Sequence, residues 1–244
     1  MVNSIRPILL LLLVWLLLPV TSYSDPTRIV SSQGKQTQLL ELYTSQGCSS
    51  CPPADRWLSQ WQHNPELWNK LVPVAFHVDY WDWIGWQDPY ASPRHGQRQR
   101  AYKQSGGIKS VYTPGFVVDG HEWRGWFSGA ALPAASTKKG ELIAHINADS
   151  IRLEYQAASL PDNVSLHIAL LGFDLQTAVK AGENSSRKLH EDFVVLLHKV
   201  TNGHHSGKLE LPPKDTLPTN RLGFAAWISS PGSNQPLQVV GGMF

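Results

Sequence analysis

Apolar and polar positions divide this chain of 244 residues into segments with different repeat patterns. Nearly continuous apolar runs at Gln38–Tyr43 and Leu71–Val78 predict two strands covered on both faces, as in a parallel or mixed sheet. Between them, Pro53–Gln62 has apolar residues at the i, i+3, i+4 and i+7 spacing of a helix with one buried stripe. The order strand, helix, strand predicts a right-handed βαβ unit with parallel strands.

A polar helix, a hairpin and a further helix are predicted next. Ser92–Gly107 is the polar helix, and its two final glycines are a stop signal. Short apolar stretches on both sides of Asp119 and Gly120 predict a β-hairpin, because Asp-Gly favours the two-residue turn. Apolar residues on one side of the segment from Thr137 to about Ser150 predict a closing helix.

From Ile151 onward, apolar and polar residues alternate with the period of two that is typical of half-buried strands. Further short strands are predicted at 193–200, 208–211, 222–229 and 237–240. Proline, glycine and asparagine clusters separate them, which favours an antiparallel sandwich or half-barrel. We therefore predict an α/β fold with two parts: an α/β domain over residues 25–150, and a mainly antiparallel, sandwich-like β domain over residues 151–244.

The first 24 residues are predicted to be a signal peptide. Arg6 supplies a positive charge before the apolar run Ile8–Val20, and small residues precede the expected cleavage near Asp25. A membrane-spanning helix needs roughly 20 apolar residues. The run has 13, so we expect no stable membrane span after cleavage; an uncleaved anchor is the alternative. The expected location is outside the cytosol, either secreted or in the periplasm of a bacterial envelope.

Charge and cysteine count exclude several classes of protein. The formal net charge of +2 predicts no strongly basic face, so we expect no nucleic-acid partner. The chain has only two cysteines, which excludes a cysteine-rich structural framework. The sequence contains neither a glycine-rich phosphate loop nor a metalloprotease helix motif. In an exported protein, the two cysteines can form a disulfide that persists.

Cys48 and Cys51 form a Cys-x-x-Cys pair between the first predicted strand and the first helix, which makes them a candidate redox centre. The unpaired N–H groups and the dipole of the helix start favour negative charge, so Cys48 is expected to ionise below the usual thiol pKa. Cys51 is placed one turn later to close an internal disulfide. No separate cofactor is implied. A permanent structural disulfide and a metal site stay open as alternatives, with copper fitting two thiolates better than zinc, which normally needs four ligands.

Other polar and aromatic clusters have simpler interpretations. His77, Asp79 and Asp82 contain potential metal ligands, but a position at a strand end, with Asp79 capping the next turn, explains them better. A dense group of tryptophans either packs in the core or forms an apolar wall for an extended protein substrate. Its members are Trp81, Trp83, Trp86, Trp123 and Trp126.

Four stretches carry a resemblance to a known family: ELYTSQGCSSCPPAD, FHVDYWDWIGWQDPY, RQRAYKQ and VYTPGFVVDG. In this order they resemble the thioredoxin superfamily and, more narrowly, the DUF1223 family of exported thioredoxin-like proteins, over roughly residues 38–128. The resemblance implies that the domain over residues 25–150 is thioredoxin-like. A GEN-x-GR-x-L pattern of that family corresponds to Gly182–Leu189, with Ser186 in place of a glycine.

The resemblance also implies roles for individual residues. Cys48 would be the exposed nucleophile and Cys51 the resolving thiol. Pro114 would be a cis proline that faces the pair, and the backbone of Thr113 would pair with an extended substrate. Glu41 would accept the proton of the resolving thiol, with a raised pKa if it is buried without a partner. A carboxylate in water at the sheet edge is the alternative for Glu41.

Together, these observations predict an exported thiol–disulfide oxidoreductase whose substrates are protein thiols or disulfides. Two alternatives belong to other classes of protein. One is a metal-binding or adaptor module on a thioredoxin scaffold. The other is a non-catalytic envelope protein whose disulfide holds a loop.

Overall fold

A computed structural model describes residues 27–159, 162–230 and 234–244. Within these ranges the protein is mostly β-sheet, with two α-helices and several short 3-10 helices. The predicted signal peptide, residues 1–24, lies outside the described residues. Every helix in the described ranges is too short or too polar to cross a bilayer.

Fourteen strands and two α-helices make up the fold in these ranges. The strands are β1 (Arg28–Ser31), β2 (Gln38–Thr44), β3 (Leu71–His77), β4 (Gly115–Val118), β5 (His121–Trp123), β6 (Glu141–Ile146), β7 (Ser150–Gln156), β8 (Ser165–Gly172), β9 (Leu175–Ala178), β10 (Lys188–Glu191), β11 (Val194–Asn202), β12 (Ser206–Glu210), β13 (Leu222–Ser229) and β14 (Pro236–Met243). The helices are α1 (Cys51–Ser59) and α2 (Pro93–Gln104), and the 3-10 helices cover Gln60–His63, Asp82–Ile84, Gly125–Ser128 and Lys214–Thr216.

Eight strands form the main sheet, in the order β14-β13-β8-β11-β3-β2-β4-β5. β2 runs parallel to β3, with Glu41 opposite Val74, which confirms the parallel strands predicted for the βαβ unit. β11 also runs parallel to β3, and the other neighbours in this sheet are antiparallel. Strands from both sides of residue 150 therefore share one sheet, while a domain boundary at that residue stays a prediction.

A four-stranded antiparallel sheet, in the order β1-β6-β7-β12, packs on one face of the main sheet. Leu166, Ile168 and Leu170 of β8 contribute to the core between the two sheets. Ala169 and Leu171 of the same strand belong to the core on the opposite face. Both faces of β8 are buried, which explains why its sequence is a nearly continuous apolar run.

The helix predicted from Thr137 to about Ser150 is wrong, because this segment contains β6 and the start of β7. Along β6, Leu142, Ala144 and Ile146 are buried and the residues between them are only partly buried. This period of two is that of a strand. Hydrogen bonds to β1 on one side and β7 on the other hold the segment in the extended form.

The end of β2 and the start of α1 place the cysteine pair. α1 begins at Cys51 and carries Pro52 and Pro53 in its first turn, where a missing N–H leaves no helical hydrogen bond unmade. Ala54 and Leu58 bury the inner side of α1 in the main core. The loop over residues 45–50, which contains Cys48, is therefore held between a central strand and an anchored helix.

Candidate functional site

Cys48 and Cys51 are both free thiols at the start of α1. Cys48 is 1% exposed and Cys51 is 0% exposed, whereas the two serines between them are exposed. The expectation that Cys48 is an exposed nucleophile is therefore wrong for this conformation. The reason lies in contacts with distant segments, described below, that the sequence around the pair does not reveal.

The two thiols have opposite pKa shifts. A hydrogen bond from Cys51 lowers the pKa of Cys48 to about 6, with help from Ser50 and Thr113, although burial opposes the shift. The Sγ atom of Cys48 lies 3.2 Å from the Oγ atom of Ser50. Burial, followed by the hydrogen bond to Cys48 and the charge of Asp55, raises the pKa of Cys51 well above its usual value. At neutral pH the pair therefore holds a thiolate at Cys48 and a thiol at Cys51.

Thr113 approaches Cys48 from the segment before β4. The peptide bond between Thr113 and Pro114 is cis, and the carbonyl oxygen of Thr113 lies 3.8 Å from the Sγ atom of Cys48. The indole N–H of Trp81 donates to the hydroxyl oxygen of Thr113 over 2.7 Å. The hydroxyl proton of Thr113 is then free to point at the thiolate. The structure thus brings both segments of the expected site together.

Asp55 is an acid of this site that the sequence analysis missed. It lies one helical turn after Cys51 on α1, so the two side chains share a face. Asp55 is 8% exposed and accepts a hydrogen bond from the hydroxyl of Thr44 over 2.8 Å. Burial, reinforced by the charge of Glu191, raises the pKa of Asp55 to about 8. The i, i+4 spacing from Cys51 was the available signal for this residue.

A buried ion pair lies next to this acid. The Nδ1 atom of His77 lies 2.7 Å from a carboxylate oxygen of Asp88, and both side chains are buried. Burial alone would lower the pKa of His77, but the charge of Asp88 raises it to about 9. The backbone N–H of Gln46 donates to the same oxygen over 2.8 Å. Asp79 and Asp82 form no group of three potential metal ligands with His77 in the described part of the chain.

Glu41 is buried, and its carboxylate is fully occupied. Arg98 donates hydrogen bonds of 2.7 and 2.8 Å to its two oxygens. The hydroxyl groups of Tyr43 and Tyr102 donate to the same carboxylate. Among the described hydrogen bonds, none joins Glu41 to either cysteine. Because both oxygens are engaged, Glu41 is poorly placed to receive the proton of the resolving thiol.

The loop between β9 and β10, residues 179–187, is called the clamp loop below. It contacts the loop over residues 45–50, which contains Cys48 and is called the cysteine loop. Asn184 in this loop is 0% exposed. Its side-chain amide donates to the carbonyl oxygens of Gln46 and Cys48, each over 2.9 Å. The carboxylate of Glu183 accepts from the backbone N–H of the serine that follows Cys48, over 3.0 Å. The clamp loop therefore fixes the backbone of the cysteine loop on the side next to Cys48.

Two features keep the clamp loop in shape. Ser186 has a φ of 67°, so it adopts the left-handed conformation for which the related pattern has glycine. The guanidinium of Arg187 donates to the Oδ1 atom of Asn184 over 2.9 Å. This hydrogen bond orients the amide so that its N–H groups face the cysteine loop.

We expect Asn184→Ala to uncover Cys48. The substitution leaves the buried carbonyl oxygen of Gln46 without its donor and removes one of the two donors to the carbonyl oxygen of Cys48, which costs about 1–3 kcal/mol of stability. Alkylation of Cys48 by iodoacetamide, followed by mass spectrometry, should be faster than in the wild type, and urea unfolding should show the lower stability. Lys180→Ala, at an exposed position of the same loop, should change neither quantity. Equal alkylation rates in Asn184→Ala and the wild type would show that the clamp loop does not cover the sulfur.

Some of the clustered tryptophans pack in the core, and others form hydrogen bonds at the site. Trp123 is 8% exposed and belongs to the main core. Trp81 bonds Thr113 as described, and the indole N–H of Trp86 donates to the side-chain oxygen of Gln46 over 3.1 Å. Trp83, between them, is 81% exposed. Trp83 therefore offers an apolar surface to solvent between two residues that form hydrogen bonds at the site.

Two solved structures are similar to this chain. One is the X-ray crystal structure of a structural genomics target from Agrobacterium tumefaciens, with a TM-score of 0.58 and 20% sequence identity, covering 86% of this chain and 94% of that one. The other is HBP35 of Porphyromonas gingivalis, with a TM-score of 0.51 and 17% identity, covering 86% of this chain and 75% of that one. At these identities the likeness shows the fold alone. No curated protein has a significant sequence match to this chain.

One family model matches most of the chain. It is DUF1223, described as a protein of unknown function, and it matches residues 39–229. The matched range contains the cysteine pair, the Thr113–Pro114 segment, and the clamp loop with Asn184. The chain therefore belongs to the DUF1223 family.

Proposed function

We propose that this protein is an exported thiol–disulfide oxidoreductase whose active centre is Cys48 and Cys51. The observation that carries the proposal is the opposition of their pKa shifts, to about 6 for Cys48 and well above the usual value for Cys51. The thiolate is the nucleophile in disulfide exchange, so Cys48 is ready to attack at neutral pH. Cys51 keeps its proton until the second exchange step, in which it attacks Cys48.

The reaction has two exchange steps. The Cys48 thiolate attacks one sulfur of a substrate disulfide, a mixed disulfide forms, and the other substrate sulfur leaves as a thiolate. Cys51 then loses its proton to Asp55 and attacks the Sγ atom of Cys48. The internal disulfide forms and the second substrate thiolate leaves. The substrate gains two electrons and the pair loses two; the same steps in reverse oxidise a substrate dithiol.

Asp55 is the proton acceptor in this proposal. Its raised pKa of about 8 brings its proton affinity close to that of a thiol, and its ionised form, which accepts the proton, is the minor form at neutral pH. The charge of Asp55 also contributes to the raised pKa of Cys51, so the two groups interact directly. The ionised form of Asp55 takes the proton of Cys51 once the mixed disulfide has removed the negative charge of Cys48, so this step should become faster as the pH rises towards 8.

The burial of Cys48 adds a requirement to the proposal. The sulfur is 1% exposed, so a protein substrate reaches it only after the covering residues move. Ser49 and Ser50 are exposed directly beside it, and the clamp loop is tied to this segment by few hydrogen bonds. The exposed indole of Trp83 provides an apolar contact for an extended protein segment.

The thioredoxin-like part of the proposal is supported by element order. α1 connects two parallel strands, the cysteine pair lies at its start, and the antiparallel β4 and β5 close that edge of the sheet. Export is supported by the apolar run Ile8–Val20 behind Arg6. We propose a location in the periplasm or outside the cell, where disulfides persist, and protein thiols or disulfides as substrates.

The pH dependence of Cys48 alkylation tests the proposed function. The rate of reaction with iodoacetamide should rise with a midpoint near pH 6, because it follows the thiolate fraction of Cys48. An ordinary thiol would give a midpoint near pH 8.5. Cys48→Ser should react slowly throughout, because burial keeps the Cys51 thiol protonated. Equilibration with glutathione buffers then measures the reduction potential of the pair. A midpoint near the ordinary value, together with no exchange with glutathione, contradicts the proposal.

Burial of both cysteines favours one second candidate, a non-catalytic envelope protein whose Cys48–Cys51 disulfide holds the loop at the start of α1. A buried disulfide is shielded from thiol reagents. The bridge should then resist dithiothreitol in the folded protein. Reduction of the folded protein by dithiothreitol within minutes would remove this candidate.

A further inference from the structure

Three potential metal ligands converge at the base of the sheet formed by β9 and β10. They are Asp174, His190 and Asp192, and one ligand atom of each lies within 4.8 Å of those of the others. Asp174 precedes β9, His190 lies in β10, and Asp192 follows β10. In the described ranges of the chain, no other group of three His, Cys, Asp or Glu side chains comes this close together.

Asp192 contributes a buried oxygen that lacks a partner. The residue is 3% exposed. Its Oδ1 atom accepts from the backbone N–H of Asp174 over 2.8 Å. Its Oδ2 atom has no hydrogen-bond partner among the described residues. A buried carboxylate oxygen without a donor is costly, so this position favours a cation.

A crevice between α1 and β10 runs past two of the three ligands. The crevice has a volume of about 450 Å³, and His190 and Asp192 lie along it with Gln62 and Glu191. The Oε1 atoms of Gln62 and Glu191 are also buried without a partner among the described residues. Arg56 and Lys188 also line the crevice, so we place the cation at the three ligands and not along the crevice.

The other contacts of the three ligands leave the Oδ1 atom of Asp174 available to a cation. The guanidinium of Arg221 donates to the Oδ2 atom of Asp174 over 2.6 Å. The Oδ1 atom of Asp174 lies 3.3 Å from the Nε2 atom of His190. Arg221 therefore holds one side of the carboxylate and leaves the other turned towards the imidazole. One imidazole and two carboxylates suit zinc and similar divalent ions, whereas magnesium prefers oxygen ligands alone.

We propose that Asp174, His190 and Asp192 bind a divalent cation of the zinc class. The cation joins the residue before β9 to the end of β10, so it fixes the base of the hairpin whose tip is the clamp loop. The proposal does not depend on the redox function, because the three ligands are separate from the cysteine pair.

Zinc titration of the purified protein, followed by native mass spectrometry and calorimetry, tests this site. The variant Cys48→Ser/Cys51→Ser is the background, because thiolates also bind zinc. One zinc ion per chain is expected, and His190→Ala should weaken binding at least about tenfold. Asp192→Asn should do the same while its Oδ1 atom still accepts from Asp174. His204→Ala removes an exposed histidine elsewhere and should leave the affinity unchanged.

A thermal readout separates this site from zinc bound at the surface. Zinc should raise the Tm of the background variant and leave that of its His190→Ala derivative unchanged. Absence of stoichiometric zinc in the background variant would overturn the proposal. Equal zinc affinity in His190→Ala would do so too, and so would magnesium binding as tight as zinc binding, which indicates a simple acidic cluster.

Discussion

Cys48→Ser is expected to abolish thiol–disulfide exchange, and Cys51→Ser is expected to trap substrates as mixed disulfides. The first change removes the sulfur whose pKa is lowered to about 6, which is the attacking group in our proposal. The second change leaves that sulfur in place, and a serine hydroxyl can still donate a hydrogen bond to it. Attack then proceeds, but the mixed disulfide has no internal thiol to resolve it. Non-reducing electrophoresis of a periplasmic extract, with mass spectrometry of the captured chains, measures the effect.

Ser50→Ala is the matched control for these two variants. Its hydroxyl lies 3.2 Å from the Sγ atom of Cys48 and contributes to the lowered pKa, but it takes no part in bond formation. Exchange should therefore continue at a reduced rate, with no trapped product. If Cys51→Ser captures no protein while exchange persists in Cys48→Ser, the assigned roles of the two cysteines are wrong.

Arg98→Met is expected to destabilise the fold by about 3–5 kcal/mol, the usual cost of removing one partner of a buried ion pair. The side chain of Arg98 is 8% exposed and that of Glu41 is 1% exposed, so the remaining carboxylate would be left without its counter-charge. Arg98 also packs over the rings of Phe76, Tyr102 and Trp227, at 5.6, 5.2 and 5.0 Å from their centroids. Methionine keeps part of this packing, so charge loss dominates the result. Urea unfolding followed by tryptophan fluorescence measures it.

Two comparisons isolate the charge effect at Arg98. The double variant Arg98→Met/Glu41→Gln should recover part of the loss, because no uncompensated charge then stays buried. Arg124→Met removes an exposed arginine that pairs with Glu122, and it should cause a much smaller loss because water screens this pair. If Arg98→Met and the double variant lose the same amount of stability, packing and not charge determines the effect.

The two halves of the chain meet at the cysteine pair. Asn184 binds the carbonyl oxygen of Cys48, and the side-chain amide of Gln46 donates to Glu191 of β10 over 2.7 Å. β11 extends the sheet next to β3. Residues after 150 therefore shape the loop that contains Cys48 as well as the sheet, which agrees with a family match that continues to residue 229.

Local sequence patterns correctly predicted those strands and turns that are determined by residues close together in the chain. The apolar runs of β2 and β3 and the Asp119-Gly120 turn were found because burial and turn geometry depend on neighbouring residues. The same method failed for β6. Leu142 and Ile146 fit a helical spacing as well as a strand spacing, and the choice between them depends on β1 and β7, which the pattern does not contain.

By itself, the sequence determined the parallel strands around α1, the position of the cysteine pair at the helix start, and the family. Only the tertiary structure decided which acid lies beside the pair and how far Cys48 is covered. Arg98 lies 57 residues after Glu41 and occupies its carboxylate, while Asn184 lies 136 residues after Cys48 and holds its backbone. Spacing along the chain reports secondary structure, but the pKa and the exposure of a buried group depend on whichever distant side chains the fold brings to it.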